Sequence, residues 1–124
     1  MEDKTVLFVE DSPTMRRIIA NSLNRIGFKS IIDAENGEDA LAKIEGQDIG
    51  LILTDWNMPE MNGQELVEKL RSSGPHAETP IIMITTRGMQ DDVMTAIKCG
   101  VNGYIVKPFT PQVLEKKIKE VFGS

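Results

Sequence analysis

Cysteine and histidine are nearly absent from these 124 residues: Cys99 and His76 occur once each. A lone cysteine excludes an internal disulfide and a cysteine-built zinc cage, and a lone histidine excludes a histidine metal cluster. Long apolar stretches are missing too. The longest uninterrupted runs hold four residues, as in Val6-Leu7-Phe8-Val9, far below the ~18 that a membrane-spanning helix needs. Met1-Glu2-Asp3-Lys4 does not open a signal peptide, so a cytoplasmic location is expected. Positive charge is in deficit: 14 Lys and Arg stand against 19 Asp and Glu, a formal charge of -5. The basic residues come singly or in pairs such as Arg16-Arg17 and Lys116-Lys117, without the basic face that binding to nucleic acid phosphates requires.

The remaining composition is that of an ordinary folded domain. Apolar residues make up 40% and charged residues 27%, with ten Gly and six Pro, near globular averages. The length supports one core, so residues 1–124 are expected to form a single domain. The sequence stops two residues after Phe122, and no output domain is expected behind the last helix.

Five short apolar runs predict five strands: Val6 to Val9, Ile31-Ile32, Leu51 to Leu53, Ile81 to Ile84, and Tyr104 to Val106. Most are continuous rather than alternating, the pattern of strands covered on both faces of a parallel sheet. Helical periodicity fills the intervals. Ser12 and Pro13 open the first helix, with Met15, Ile18, Ile19, Leu23 and Ile26 inward and Gly27 as the stop. The second is expected from Asn36 to Gly46, and the third around Leu66, Val67 and Leu70. Val93, Met94 and Ile97 carry the fourth to Gly100, and Thr110-Pro111 opens a fifth with Val113, Leu114, Ile118, Val121 and Phe122 inward. Strict alternation of strand and helix implies an α/β fold, a parallel sheet with right-handed crossovers and helices on both faces.

In such a sheet all strands end at one edge, which gathers the residues behind the apolar runs. Here these are Glu10-Asp11, Asp55, Thr85-Thr86 and Lys107. One carboxylate behind a strand is commonly a helix cap or a solvated loop residue; polar groups behind four strands point to a site. Three carboxylates close together repel, each pair by about 4 kcal/mol at 4 Å and an effective dielectric of 20. Lys107 leaves two negative charges, which a divalent cation would neutralise. Hard carboxylate oxygens suit Mg²⁺ better than zinc or copper. Mg²⁺ beside a lysine and a hydroxyl suits phosphoryl chemistry, yet neither G-x-x-x-x-G-K-[ST] nor G-x-G-x-x-G is present. What remains is a carboxylate acting as the nucleophile towards a phosphoryl group brought by another molecule. Asp55 is the candidate, with Glu10 and Asp11 suited to holding metal.

Glu10-Asp11, the segment Asp55-Trp56-Asn57-Met58-Pro59 followed by Asn62-Gly63, then Thr85, then Lys107-Pro108-Phe109 form an ordered set along the whole chain. In that set the chain resembles the receiver domains of two-component response regulators. Thr14-Met15-Arg16-Arg17-Ile18, Trp56 and Tyr104 resemble the chemotaxis branch of the family. The resemblance implies a flavodoxin-like (βα)₅ three-layer sandwich, its five parallel strands in the order 2-1-3-4-5. It implies that Asp55 accepts a phosphoryl group from a histidine kinase, and that Asp11, Asp55 and the backbone carbonyl of Asn57 coordinate Mg²⁺. Glu10, where many members have Asp, would join directly or through water. Lys107 and Thr85 would contact the phosphoryl oxygens, and Lys107-Pro108 resembles a cis peptide of the family.

Phosphorylation takes Asp55 from -1 towards roughly -2 and adds acceptors that attract a hydroxyl and an ammonium. The resemblance makes Thr85 and Tyr104 the switch: Thr85 moves, Tyr104 rotates, and the face of the fourth helix, fifth strand and fifth helix changes. The implied partners are a chemotaxis histidine kinase, a flagellar motor switch protein and a phosphatase, acting on a monomer that catalyses only its own phosphorylation and dephosphorylation. A phosphorelay intermediate passing the group from Asp55 to a histidine phosphotransfer protein is the alternative. A stand-alone aspartate phosphatase is disfavoured, because Glu10-Asp11-Ser12 stands where D-x-D-x-[TV] is needed. A flavin carrier is disfavoured because carboxylates occupy the loop where a cofactor phosphate needs donors.

Overall fold

A computed structural model describes residues 4–56, 63–72, 78–85, 94, 97–107 and 109–121. The five apolar runs form β1 (Thr5–Val9), β2 (Ser30–Ala34), β3 (Leu51–Asp55), β4 (Ile81–Thr85) and β5 (Gly103–Val106). Helices α1 (Pro13–Ile26), α2 (Gly37–Lys43) and α3 (Gly63–Ser72) follow the first three strands. Residues 94 and 97–99 are helical between β4 and β5 and are labelled α4; α5 (Pro111–Val121) follows β5.

Local chemistry sets these boundaries. Ser12 has extended backbone and its hydroxyl accepts the Met15 N–H at 3.3 Å, while Pro13 occupies the first helical position. Gly27 ends α1 at φ +122, a conformation that costs a residue with a Cβ, and its N–H closes on Leu23 O and Asn24 O. Asn36 caps α2 by accepting the Asp39 N–H at 2.7 Å. That helix ends at Lys43 and continues as a turn to Gly46, shorter than its sequence pattern implies.

The sheet is parallel throughout, in the order β2-β1-β3-β4-β5. Alternate side chains supply two cores. Leu7, Val9, Ile52, Ile81 and Met83 pack with α2 and α3 on one face; Val6, Phe8, Leu51, Leu53, Ile82, Ile84 and Ile105 pack with α1 and α5 on the other. The expected three-layer flavodoxin-like architecture is therefore observed. No helix among the described residues is long and apolar enough to cross a membrane.

Several side chains read as inward are not. Ile18 and Val113 are exposed, as are Met94 and Ile97, the last at 58%. Adjacent helix positions differ by about 100°, so beside the buried Ile19 and Leu114 the preceding residue falls at the margin of the apolar stripe. Val93 and Phe122 lie outside the described residues.

Candidate functional site

Strand order reverses between β1 and β3, and the C-terminal ends of those strands bound a crevice. Glu10 follows β1 with its N–H on Ala34 O at 2.9 Å, and Asp55 is the last residue of β3. One oxygen each from Glu10, Asp11 and Asp55 lie within 4.8 Å of one another. Glu10 and Asp55 are buried, whereas Asp11 opens to solvent. Lys107, directly after β5, crosses the end of β4 to reach them. Its Nζ is 2.6 Å from Glu10 Oε1 and 3.4 Å from Asp55 Oδ2. Its N–H donates to Thr85 O at 2.7 Å, which fixes the root of the side chain to β4.

Both Glu10 oxygens are engaged, since Oε2 accepts the Ser12 N–H at 3.1 Å. Burial pushes the Glu10 carboxyl above the usual carboxylate range; the Lys107 and Ser12 hydrogen bonds oppose that shift, while Asp11 and Asp55 add to it. Three carboxylates with no sulfur or imidazole in the cluster form a hard donor set that fits a divalent cation such as Mg²⁺.

Thr85, the last residue of β4, is fully buried. Tyr104 pairs with Met83 in the β4–β5 register, two residues before Thr85, so period-two alternation places Tyr104 and Thr85 on the same face of the sheet. Tyr104 is 38% exposed, with Lys117 Nζ 5.7 Å from its ring centroid. Glu10, Asp11, Asp55 and Lys107 are thus brought together, with Thr85 at the same edge and Tyr104 one strand away. Asn57 and Pro108 lie outside the described residues, as do Thr86 and His76. Gly63 packs where a Cβ would come within 2.8 Å of Asp55 O and Trp56 Cα, so the start of α3 closely abuts the end of β3.

Arg16 is the site neighbour that sequence reasoning missed, since it enters there only in the Arg16-Arg17 pair and in the segment from Thr14 to Ile18. Its Nη1 donates to Glu10 O at 2.8 Å and to Asp11 O at 3.2 Å. The available signal was a cation in the first turn of a helix, against the helix dipole.

A sheet reversing at an acidic crevice, with a lysine delivered from the fifth strand, defines a class: the chain belongs to the response regulator receiver domain family, whose model matches residues 6–119. Among its relatives, the chemotaxis protein CheY1 of Helicobacter pylori is 54% identical over 120 residues, covering 96% of this chain and 97% of that protein. The chemotaxis response regulator CheY4 of Vibrio cholerae has a similar structure, with TM-score 0.89 and 34% identity over 95% of this chain and 98% of that one. The receiver domain of the sensor histidine kinase PA1611 from Pseudomonas aeruginosa, solved with magnesium coordinated in its active-site cleft, gives TM-score 0.87 and 27% identity over 98% of each chain.

Proposed function

We propose that this chain is a chemotaxis response regulator whose Asp55 accepts a phosphoryl group from the phosphohistidine of a histidine kinase, with Mg²⁺ as cofactor. The observation that carries this reading is the convergence of Glu10, Asp11 and Asp55 within 4.8 Å, with Lys107 3.4 Å from Asp55. In the transfer, the P–N bond to the donor imidazole breaks as a P–O bond to an Asp55 oxygen forms. Asp11 and Asp55 would hold the metal directly, with the Asn57 carbonyl as a further ligand. Glu10 would act through water, because both its oxygens already serve Lys107 and Ser12. When bound, the ion supplies positive charge that offsets charge on the transferring oxygens.

Before transfer Lys107 offsets part of the negative charge of Glu10 and Asp55, and it turns its ammonium to the new oxygens when the phosphoryl group arrives. Thr85 supplies a hydroxyl from the neighbouring strand end. Its movement frees Tyr104 to leave Lys117 and turn inward, altering the face of α4, β5 and α5. That face exposes Met94, Ile97, Tyr104 and Val106, apolar surface suited to a protein partner. The partner we propose is the flagellar motor switch, engaged by a cytoplasmic monomer that a phosphatase resets.

The test is incubation of the protein with acetyl phosphate, with and without Mg²⁺, followed by intact mass and peptide mapping. A metal-dependent phosphoryl adduct should map to Asp55 and be missing from Asp55→Asn. An adduct on Asp55→Asn at the wild-type rate would overturn the assignment. Capture of the motor switch protein only by the phosphorylated form supports the output reading; transfer to a histidine phosphotransfer protein without capture would replace it with a phosphorelay.

A further inference from the structure

The β1–α1 turn carries two carboxylates into the crevice and faces a physical difficulty: Glu10 and Asp11 repel Asp55 and each other. Lys107 answers from the β5 side at the level of the side chains. Arg16 acts from the opposite side and at the level of the backbone, donating through Nη1 to Glu10 O at 2.8 Å and Asp11 O at 3.2 Å. Its Nε lies 3.7 Å from Asp33 Oδ2, near the end of β2, and its side chain is only 21% exposed. Holding a cation in the first turn of α1, which has no acidic residue there, runs against the helix dipole. Arg17, next in sequence, is exposed and supplies an internal comparison.

We propose that Arg16 is a positioning residue for the divalent-cation site: by clamping the two carbonyls of the Glu10–Asp11 turn, it presents the Asp11 carboxylate towards Asp55 without touching the metal. This rests on the proposed Mg²⁺-dependent acceptor role of Asp55. Nη1 alone serves both carbonyls while Nε of the same planar group faces Asp33, a fixed arrangement of nitrogens that the single, shorter-reaching ammonium of lysine does not reproduce. The exposed contact with Asp33 adds little. Charge and position have opposite effects on cation affinity: a positive side chain near the crevice repels Mg²⁺, whereas an ordered turn binds it better. Removing Arg16 therefore separates the two.

The experiment is calorimetric titration of the metal-stripped 124-residue chain with MgCl₂, using wild type, Arg16→Gln, Arg16→Lys and Arg17→Gln. Arg17→Gln should bind equally well or tighter, by no more than about 2-fold given screening by salt. Arg16→Gln should bind about 10-fold more weakly, the low end of what supports of metal ligands contribute. Arg16→Lys should also weaken binding although it keeps the charge. In acetyl phosphate labelling, both Arg16 variants should need more Mg²⁺ for half-maximal rate yet approach the wild-type rate at saturation. Equal shifts in Arg16→Gln and Arg17→Gln, or wild-type affinity in Arg16→Lys, would overturn the proposal while leaving Asp55 as the acceptor. If Arg16→Gln fails to fold, Arg16→Lys decides. Wild type that binds no Mg²⁺ would overturn both readings.

Discussion

Glu10 has surroundings that both oppose and require its charge. It is 1% exposed, and burial raises its pKa, with the Asp11 and Asp55 carboxyls acting in the same direction. Lys107 and the Ser12 N–H restrain the shift. A carboxyl whose folded-state pKa exceeds its unfolded value contributes stability below the unfolded pKa, and that contribution is lost as pH rises through the folded pKa. In metal-free protein Glu10 therefore weighs against folding at neutral pH. Glu10→Gln removes that burden and leaves Lys107 its contact with Asp55 at 3.4 Å. In EDTA, the melting temperature of Glu10→Gln relative to wild type should be most favourable at pH 7–8 and should decline as pH falls towards 4.5. Thermal unfolding across that range measures it; a difference independent of pH would show that Glu10 keeps an ordinary pKa in the folded chain.

At the scale of elements, Arg71 in the last turn of α3 ties down the sheet edge opposite the site. Its guanidinium donates to Thr79 O at 2.6 Å, to Gly100 O at 3.0 and 2.7 Å, and to Asn102 Oδ1 at 2.8 Å. Asn102 Oδ1 also accepts the Ile81 N–H at 2.9 Å, so one side chain joins α3, the start of β4 and the turn into β5. Hydrogen bonds from a charged donor contribute about 1.5–3 kcal/mol each, and these act as one unit. Arg71→Met should lower stability by about 2–3 kcal/mol in urea unfolding, with Arg71→Lys restoring less than half and Mg²⁺ affinity unchanged in both. Arg71 could not be found from sequence, because its partners are mainly backbone carbonyls that no residue type marks, and Arg16 was marked only by being a cation at the start of a helix. The strands were legible because burial on both faces makes them continuous apolar runs, and α1 because Ser12, Pro13 and Gly27 have specific backbone chemistry. Ile18 and Val113 misled because an apolar residue at the stripe margin looks the same in sequence as one inside it. The acidic site was legible for a topological reason: parallel strands bring Glu10, Asp55, Thr85 and Lys107 to one edge whatever their separation along the chain.

Across the whole molecule, two apolar layers hold together a sheet whose C-terminal edge concentrates negative charge, in a chain that already carries -5. At an effective dielectric of 20, each carboxylate pair at the 4.8 Å limit of the cluster repels by about 3.5 kcal/mol, and Lys107 at 3.4 Å from Asp55 attracts by about 5 kcal/mol. Among these four side chains about 2 kcal/mol of net repulsion therefore acts on Asp55, and the exposure of Asp11 reduces it to about 1 kcal/mol. In EDTA, Asp55→Asn should thus melt above wild type by about 4 °C, the shift that 1 kcal/mol produces in a domain of this size. Saturating Mg²⁺ reverses the order. A ligand that binds only the folded chain adds about 2.7 kcal/mol at a hundred times its Kd, and Asp55→Asn lacks one of the oxygens that would capture it. The two melting curves should exchange places when Mg²⁺ replaces EDTA. If Asp55→Asn melts below wild type in EDTA and Mg²⁺ moves both equally, the acidic edge is not a cation site, and the charge gathered there is balanced within the protein.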